Sequence, residues 1–274
     1  MDISVVIPTY NRYELLKRAL SSVYTQTYQP KEVIVVDDGS TDNTSNIQKN
    51  FPNIIYIYQE NNGVSSARNR GIKHSTCNWI AFLDSDDEWH KDKLFKQNDY
   101  HKAKQNILMS YTDEKWIRDS QEVKIPKKFK KIGKDIFVEN LEYCNIAPSS
   151  VIISHVLLDK VEKNSMYFDE ELEVCEDYDL WLRITCRHEV GLIDEKLIIK
   201  YAGHEDQLSF KYWGMDRFRV ISVEKLLKLN FNNEKKELIA KTLKKKYDLL
   251  LKGAIKYDKI QDIKNYEEKL KLYE

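Results

Sequence analysis

The predicted fold is decided by the stretch Trp79-Ile80-Ala81-Phe82-Leu83-Asp84-Ser85-Asp86-Asp87-Glu88-Trp89. Its first five residues are mostly apolar and show no helical period, which predicts a short buried β-strand. Carboxylates crowd together where this strand ends, and negative groups so close repel one another unless a cation is present. Asp84 and Asp86 are two positions apart and point to the same side, where they can share one metal ion or one metal–phosphate group. Taken alone, such a motif is more often a solvated acidic loop that caps the next helix.

Strands and helices alternate four times in the first ninety residues. Apolar runs predict strands at 3–7, 32–36, 54–58 and 79–83, and helical periodicity follows the first and third of them. This alternation predicts an α/β fold with a Rossmann-like, mostly parallel sheet flanked by helices. Since the carboxyl ends of parallel strands meet at one edge, polar residues after the first, second and fourth strands are expected to share one crevice. These residues are Thr9-Tyr10-Asn11, Asp37-Asp38 and Asp84-Ser85-Asp86.

Later segments extend the pattern with less regularity. Strands are predicted at 107–117, 148–154 and 190–201, and a lysine-rich loop at 121–134. A second acidic cluster, Glu176-Asp177-Tyr178-Asp179, begins a helix whose first turn suits negative charge. From about Trp213 onward the chain is predicted to be helical.

Asn11 is expected to cap the first helix, with Glu14 completing the capping pair.

Composition narrows the class of protein. The chain has 274 residues, with 44 basic and 44 acidic side chains, so a general nucleic-acid binder is not expected. The four cysteines contain no Cys-x-x-Cys pair, which argues against a zinc ribbon and suits a reduced cytosolic setting. Neither a signal peptide nor an apolar stretch of about 20 residues is apparent, so a soluble or peripheral protein is expected.

The C-terminal fifth carries an uneven charge. Residues 225–274 contain 14 lysines and 8 acidic residues. A solvated helical hairpin packed on the core is the simpler interpretation of this segment. The alternative is a peripheral contact with an anionic membrane surface.

Five strings together resemble the family 2 glycosyltransferases of GT-A fold. In chain order they are Val5-Val6-Ile7-Pro8-Thr9-Tyr10-Asn11-Arg12, Val35-Val36-Asp37-Asp38-Gly39-Ser40-Thr41-Asp42, Asn62-Gly63-Val64-Ser65-Ser66-Ala67-Arg68-Asn69, Phe82-Leu83-Asp84-Ser85-Asp86-Asp87 and Glu176-Asp177. The resemblance runs from the N-terminus to about Ser209. It implies a GT-A domain over 1–212, with a nucleotide-sugar half of about 1–106 and an acceptor half of about 107–212. Residues 213–274 then form a helical C-terminal extension.

The resemblance implies a nucleotide-sugar donor, with uridine as the expected base. The first loop and the aspartate after the second strand would hold base and ribose, which suits an aromatic ring that stacks and a carboxylate that accepts from a base N–H. Arg68 resembles an arginine that faces the donor. The expected donor-binding residues are Pro8, Thr9, Tyr10, Asn11, Asp38, Arg68, Asp84 and Ser85.

Asp84 and Asp86 match the family's metal motif. Asp86 is expected to bind Mn²⁺ or Mg²⁺, and Asp84 to reach the ribose or the waters of the ion. The ion would neutralise charge on the departing nucleotide. His204 lies where many members have a further metal or phosphate contact, although a histidine in a loop is equally often an ordinary surface residue.

Transfer also requires a base for the acceptor hydroxyl. Asp177 is expected to be that base by its match to the second acid of the family's Glu-Asp pair, with Glu176 and Asp179 as competitors. Asp179 is more simply interpreted as a helix cap. A single carboxylate base opposite the leaving group gives inversion at the anomeric centre.

Two other functions remain open at this level. A sugar nucleotidyltransferase would show a glycine-rich basic loop after the first strand, and Pro8-Thr9-Tyr10-Asn11 is not such a loop. A catalytically silent nucleotide-sugar-binding protein is the other alternative. The expected acceptor is a surface polysaccharide or a lipid-linked glycan of a bacterial cell envelope, reached from the cytoplasm or the inner face of the membrane.

Overall fold

A mixed β-sheet forms the centre of the computed structural model, which describes residues 1–126, 129–162, 166–201, 203, 212 and 214–273. Nine strands of these residues join the sheet: β1 Ile3–Thr9, β2 Glu32–Asp38, β3 Ile55–Gln59, β4 Trp79–Phe82, β5 Glu88–Trp89, β6 Met109–Arg118, β7 Gln121–Val123, β8 Ile152–Ser154 and β9 Gly191–Tyr201. The helices of the same residues are α1 Tyr13–Tyr24, α2 Ile47–Asn50, α3 Gly63–His74, α4 Lys93–Ala103, α5 Phe137–Glu142, α6 His155–Val161, α7 Glu176–Thr185, α8 Asp216–Leu226, α9 Asn233–Lys256 and α10 Ile260–Leu270. The strand order is β3-β2-β1-β4-β8-β6-β9-β5, and β7 pairs with β6.

The first four strands are parallel, which confirms the predicted α/β class. β1 lies between β2 and β4, and all seven of its residues are buried. A strand covered on both faces requires the continuous apolar run that the sequence shows. Helix α3 packs closely on this strand, because a Cβ added to Gly71 would lie 2.4 Å from Val6 Cγ1.

The first strand is longer than the predicted range 3–7 and is not ended by Pro8. β1 continues through Pro8 to Thr9 and pairs with β2 over this length. β4 pairs with β1 only as far as Val6, so Pro8 lies where β1 has a strand on one side. At such a position the missing N–H of proline is tolerated.

The second half of the sheet is mostly antiparallel. β8 runs antiparallel to β4 and to β6, whereas β9 runs parallel to β6. The predicted loop 121–134 contains β7, joined to β6 by a two-residue turn at Asp119 and Ser120. Both turn residues have positive φ, 50° and 63°, which matches the twist of a tight hairpin.

Helices α8, α9 and α10 pack against α5 and α7. Their shared apolar cluster includes Tyr178 and Leu182 of α7 together with Val223, Leu243 and Tyr247. The contact fixes α7, whose first turn carries the second acidic cluster. Among the described helices, none combines the length and the apolar character that crossing a bilayer requires.

Candidate active site

The acidic loop after β4 is a tight turn supported by Ser149. The amide of Asp87 donates to the carbonyl of Asp84 at 3.0 Å, which closes the turn. Ser149 Oγ accepts from the Asp84 amide at 3.0 Å and donates to Asp87 Oδ2 at 2.6 Å. The side chains of Asp84 and Asp86 remain 22% and 19% exposed, while Asp87 is buried. The loop therefore offers its first two carboxylates to the crevice and uses the third to hold its shape.

Arg68 connects this loop to the first turn of α7. Its guanidinium donates to Asp84 Oδ1 at 2.8 Å and to Glu176 Oε1 at 2.5 Å, and it is almost completely buried. Burial alone would raise the pKa of Asp84, but Arg68, with help from Lys200 and Arg12, holds it below its usual value. Burial raises the pKa of Glu176 despite the same guanidinium. The two acidic clusters thus belong to one site, since a single buried cation contacts both.

Lys200, at the end of β9, adds a second cation. Its ammonium lies 3.5 Å from Asp87 Oδ2. Burial lowers the pKa of Lys200, but Asp87, Glu114, Asp84 and Asp86 together raise it above its usual value. Burial raises the pKa of Asp87 to about 7, in spite of the opposing effect of Lys200.

The loop after β1 also reaches the acidic loop. Arg12 Nη1 lies 3.0 Å from Asp86 Oδ2, and Arg18 Nη2 donates to the Asp86 carbonyl at 2.6 Å. Arg12 therefore joins the loop after β1 to the acidic loop, and Arg18 joins the acidic loop to α1. Tyr10 is 46% exposed, and Thr9 Oγ1 is buried without a hydrogen-bond partner among the residues that the structure describes.

Asn11 does not cap α1, contrary to the sequence prediction. It has a left-handed conformation with φ of 52°, and its Oδ1 accepts from the amides of Thr41 and Asp42 at 2.7 and 3.3 Å. The first N–H of α1, at Tyr13, donates instead to Asp42 Oδ2 at 3.2 Å. Asn11 thus connects the loop after β1 to the loop after β2. The N–H at the start of α1 is satisfied by Asp42, which belongs to the loop after β2.

Asp38 is the last residue of β2, and its carboxylate lies next to the start of α3. Both carboxylate oxygens accept hydrogen bonds from the protein. Oδ1 accepts from Gln59 Nε2 at 2.7 Å and from the Asn62 amide at 2.9 Å. Oδ2 accepts from the Gly63 amide at 2.8 Å. Gly63 has a φ of +86°, which L side chains rarely adopt, and its amide points at the carboxylate.

The three acids of the first turn of α7 have different surroundings. Glu176 is held by Arg68, and Asp179 is buried between Arg183 Nε at 2.9 Å and Lys225 Nζ at 3.1 Å. Asp177 is half-buried and accepts from the Tyr178 amide at 2.7 Å and from Cys144 Sγ at 3.5 Å. Among the three, Asp177 has no cation bound to it in the described part of the chain, which leaves it the best placed to accept a proton from a substrate.

Two carboxylates suit a hard divalent ion only if further oxygen ligands come from elsewhere. No group of three or more histidine, cysteine or acidic side chains is arranged to hold a metal within the described residues. Mg²⁺ typically binds through one or two carboxylates plus substrate phosphates, so Asp84 and Asp86 fit an ion that arrives with a diphosphate. His204 lies outside the described residues.

The expected residues occupy three positions around the crevice. Arg12, next to Asn11, contacts Asp86, and Arg68 joins Asp84 to Glu176, so ion pairs connect the three positions, the loop after β1, the acidic loop and the start of α7, in a row. Ser85 and Pro8 are buried in the supporting structure.

Three basic residues of the site were not singled out from the sequence: Arg12, Arg18 and Lys200. Lys200 had a signal, because it lies two positions after the buried Ile198 and so on the same face of β9. The pairing of Arg12 and Arg18 with a loop about 70 residues later has no local signal.

A family model described as glycosyl transferase family 2 matches residues 4–150 of the chain. The chain is 33% identical over 198 residues to an uncharacterized glycosyltransferase of Rickettsia felis, in a match that covers 71% of this chain and 32% of that protein. It is 32% identical over 188 residues to the UDP-Glc:alpha-D-GlcNAc-diphosphoundecaprenol beta-1,3-glucosyltransferase WfaP of Escherichia coli, covering 68% of this chain and 70% of WfaP. The chain spans between 28% and 65% of the length of several Rickettsia glycosyltransferases that it matches.

Two solved structures share the fold. S. aureus TarS 1-349 in complex with UDP-GlcNAc superposes with a TM-score of 0.76 at 21% identity, covering 97% of this chain and 79% of that chain. The mannosyltransferase PcManGT from Pyrobaculum calidifontis, in complex with GDP-Man and Mn²⁺, has a TM-score of 0.62 at 17% identity, covering 99% of this chain and 83% of that chain.

Proposed function

The chain belongs to glycosyltransferase family 2 and has the GT-A fold, and on that premise we propose that it transfers a hexosyl or N-acetylhexosaminyl unit from a UDP-sugar, with inversion. The proposed acceptor is a glycan or a lipid-linked glycan. The observation that carries the proposal is Arg68, which contacts Asp84 of the acidic loop and Glu176 beside the proposed base. Uridine as the base is supported by TarS, whose structure contains UDP-GlcNAc, and by WfaP, whose name specifies UDP-Glc.

The donor is proposed to bind across the ends of β1, β2 and β4. The exposed Tyr10 ring supports stacking on a base, and the buried Thr9 Oγ1 supports a hydrogen bond to the nucleotide. Asp38 is proposed to contact the base or the ribose. Its carboxylate is held in a fixed position for this role by the amides of Asn62 and Gly63 at the start of α3. The full proposed set is Pro8, Thr9, Tyr10, Asn11, Asp38, Arg68, Asp84 and Ser85.

Mn²⁺ or Mg²⁺ is proposed to accompany the donor, with Asp86 as a ligand and Asp84 directed to the ribose or the waters of the ion. Bound there, such an ion would stabilise negative charge on the departing UDP. Arg12 Nη1 lies 3.0 Å from Asp86 Oδ2, so an ion bound by Asp86 would compete with this ion pair. His204 is proposed as a further ligand on the strength of the family resemblance. The Mn²⁺ in the PcManGT structure supports a divalent ion in this fold.

Asp177 is proposed as the general base. It is the half-buried acid of its turn, at the start of α7, and unlike its two neighbours it pairs with no cation in the described part of the chain. Glu176 is proposed to hold Arg68 toward the donor side, while Asp179 anchors α7. A carboxylate that takes the acceptor proton on the face opposite UDP gives inversion.

The acceptor is proposed to belong to bacterial cell-envelope polysaccharide synthesis, at the inner face of the membrane. Support comes from WfaP, which by its name acts on a sugar linked to diphosphoundecaprenol. Further support comes from the exposed apolar residues Tyr257, Ile260 and Leu272 of the lysine-rich C-terminal segment.

The test is a panel of UDP- and GDP-sugars, each added with Mn²⁺, Mg²⁺ or EDTA. We expect a UDP-sugar to raise the melting temperature by several degrees, more with the ion than with EDTA, and to be hydrolysed slowly to UDP. NMR of the early sugar product reports whether the anomeric configuration is inverted. Absence of stabilisation by every nucleotide sugar, with or without metal, would refute the proposed function.

A further inference from the structure

Three aromatic side chains from separate segments form a continuous wall beside the candidate active site. The ring centroids of Trp116, on β6, and Phe129, after β7, are 6.1 Å apart. Those of Phe129 and Tyr143, after α5, are 6.3 Å apart. All three side chains are half-buried, so they are neither in the core nor fully in solvent. We refer to Trp116, Phe129 and Tyr143 as the aromatic wall.

A buried ion pair fixes the orientation of this wall. Trp116 Nε1 donates to Glu114 Oε1 at 2.7 Å, and Lys131 Nζ lies 3.0 Å from Glu114 Oε2. Lys131 also donates to the Asn145 carbonyl at 2.6 Å. The side chains of Glu114 and Lys131 are each only 4% exposed. The ion pair therefore fixes the edge of the Trp116 ring, and a ring already held in place loses less conformational entropy when a ligand binds.

The wall adjoins the proposed chemistry on two sides. Tyr143 directly precedes Cys144, whose thiol contacts the carboxylate of Asp177. Trp116 is paired with Lys200 across β6 and β9, and the Lys200 ammonium lies 3.5 Å from Asp87 of the acidic loop. A ligand on the wall would therefore lie between the proposed base and the proposed donor site.

The chemistry of the wall suits a sugar ring. Aromatic faces carry partial negative charge and attract the C–H groups of a pyranose, while a few polar groups select its hydroxyls. Asn145 supplies such a group, because its Oδ1 is buried and lacks a hydrogen-bond partner within the described ranges. Phe129 and Lys131 also line a cavity of about 860 Å³, formed with residues of β7 and β9 and lined mostly by charged residues, on the side of the wall away from Tyr143.

We propose that the aromatic wall is the acceptor subsite, where the sugar ring that receives the transferred unit stacks so that its hydroxyl reaches Asp177. This inference rests on the proposed function and specifies that the acceptor is recognised through a carbohydrate ring rather than through a phosphate. Lys131, the lysine that reaches Glu114 behind the wall, is already paired with that carboxylate.

The test compares Trp116→Ala with Trp116→Phe, which keeps a ring, and with Phe95→Ala, which removes a 46% exposed ring on α4. The ligands are methyl glycosides of glucose, galactose and N-acetylglucosamine. The binding of each glycoside in the presence of UDP is measured by saturation-transfer NMR. In a second assay, the rate at which UDP is formed from the UDP-sugar is measured with and without each glycoside. We expect at least one glycoside to bind, tenfold more weakly to Trp116→Ala and less than threefold more weakly to Trp116→Phe and Phe95→Ala. The donor KM and the melting temperature should change little.

Two results would overturn the proposal: no methyl glycoside binds the native protein, or Trp116→Ala binds it with unchanged affinity. A loss of donor affinity equal to the loss of acceptor affinity would also overturn it, since the ring would then have only a structural role. If instead no nucleotide sugar binds while a glycoside still binds at Trp116, the proposed function fails and the subsite stands.

Discussion

At the scale of single residues, the site depends on buried charges that are paired across long stretches of sequence. Arg68 joins Asp84 and Glu176, which are 16 and 108 positions away. Lys200 and Arg12 similarly face the acidic loop from β9 and from the β1 loop. These pairs hold two separate acidic clusters together before any ligand binds.

Arg68→Met should lower the free energy of unfolding by roughly 3–5 kcal/mol, because it leaves the buried Glu176 without its counter-charge. Urea unfolding followed by circular dichroism measures this change. Arg70→Met, on the same helix and half-exposed, is the matched control and should cost less than about 1 kcal/mol.

The double variant Arg68→Met/Glu176→Gln tests the pairing itself. Removing both charges should restore part of the lost stability, because no uncompensated charge then remains at Glu176. Equal costs for the single and the double variant would contradict this account of the pair.

Periodicity placed the acidic residues at strand and helix ends, but it did not indicate which cations pair with them. Asp84, Asp86 and Asp177 lie at strand and helix ends that short-range periodicity locates. The contacts of Arg12 and Asn11 depend on loops folding back on each other, which no local pattern encodes. Asn11 was expected at a helix cap because its type favours caps, but its φ of 52° directs it to the Thr41 amide instead.

At the scale of elements, close packing decides which helices hold the sheet edge in place. α3 lies directly on β1, and its first residues bind Asp38 while its middle supplies Arg68. α4 contacts β6 through His101, whose Nε2 lies 2.8 Å from Ser110 Oγ, and the centroid of the His101 ring lies 4.3 Å from that of Trp79 on β4. The β6–β7 hairpin was missed because its turn residues, Asp119 and Ser120, are not the usual Asn-Gly signal.

Two glycine-to-alanine changes should have opposite effects. Gly71→Ala should lower the free energy of unfolding by about 1–3 kcal/mol, because its Cβ would lie 2.4 Å from Val6 Cγ1. Gly253→Ala, in the last turn of α9 with nothing within 4 Å of the added Cβ, should raise it by about 0.5–1 kcal/mol. Urea midpoints of the two variants measure both, and a stabilised Gly71→Ala would contradict the close contact of α3 and β1.

His101 should make stability depend on pH. Burial lowers the pKa of His101 from 6.5 to about 4, although its hydrogen bond to the Ile107 carbonyl acts in the opposite direction. Between these values the unfolded chain binds the proton and the folded chain does not, so stability should fall as the pH drops from about 6.5 to about 4. At about 1.4 kcal/mol per pKa unit, the loss is about 3.5 kcal/mol at most.

Urea unfolding at pH 7.0, 5.5 and 4.5 tests this dependence. His101→Gln should flatten the profile, whereas the exposed His74→Gln should leave it unchanged. A native protein whose stability does not change over this range would show that His101 is not neutral at the lower pH.

At the scale of the whole molecule, zero net charge conceals an uneven distribution. The C-terminal segment has an excess of lysines and several exposed apolar residues, including Tyr257 at 66% and Ile260 at 69% exposure. Sequence indicated the charge, but only the structure identifies which apolar residues α9 and α10 leave uncovered.

Binding to vesicles tests the proposed membrane contact. The protein should sediment with phosphatidylglycerol vesicles at low salt and much less at 0.5 M salt or with phosphatidylcholine alone. Tyr257→Glu/Ile260→Glu should weaken this binding about tenfold or more while leaving UDP-sugar affinity unchanged. Equal sedimentation of the native and the double variant would contradict a contact through this surface.

The central claim is that the turn after β4 and the start of α7 form one transferase site in which Asp177 is the base. The most direct measurement compares Asp177→Asn with Glu173→Gln, an exposed acid four positions earlier, for both UDP-sugar affinity and sugar transfer. The account predicts that Asp177→Asn loses at least a hundredfold in turnover and keeps its UDP-sugar affinity within about twofold, while Glu173→Gln resembles the native protein. Turnover that survives in Asp177→Asn, or UDP-sugar binding that disappears with it, would contradict the account.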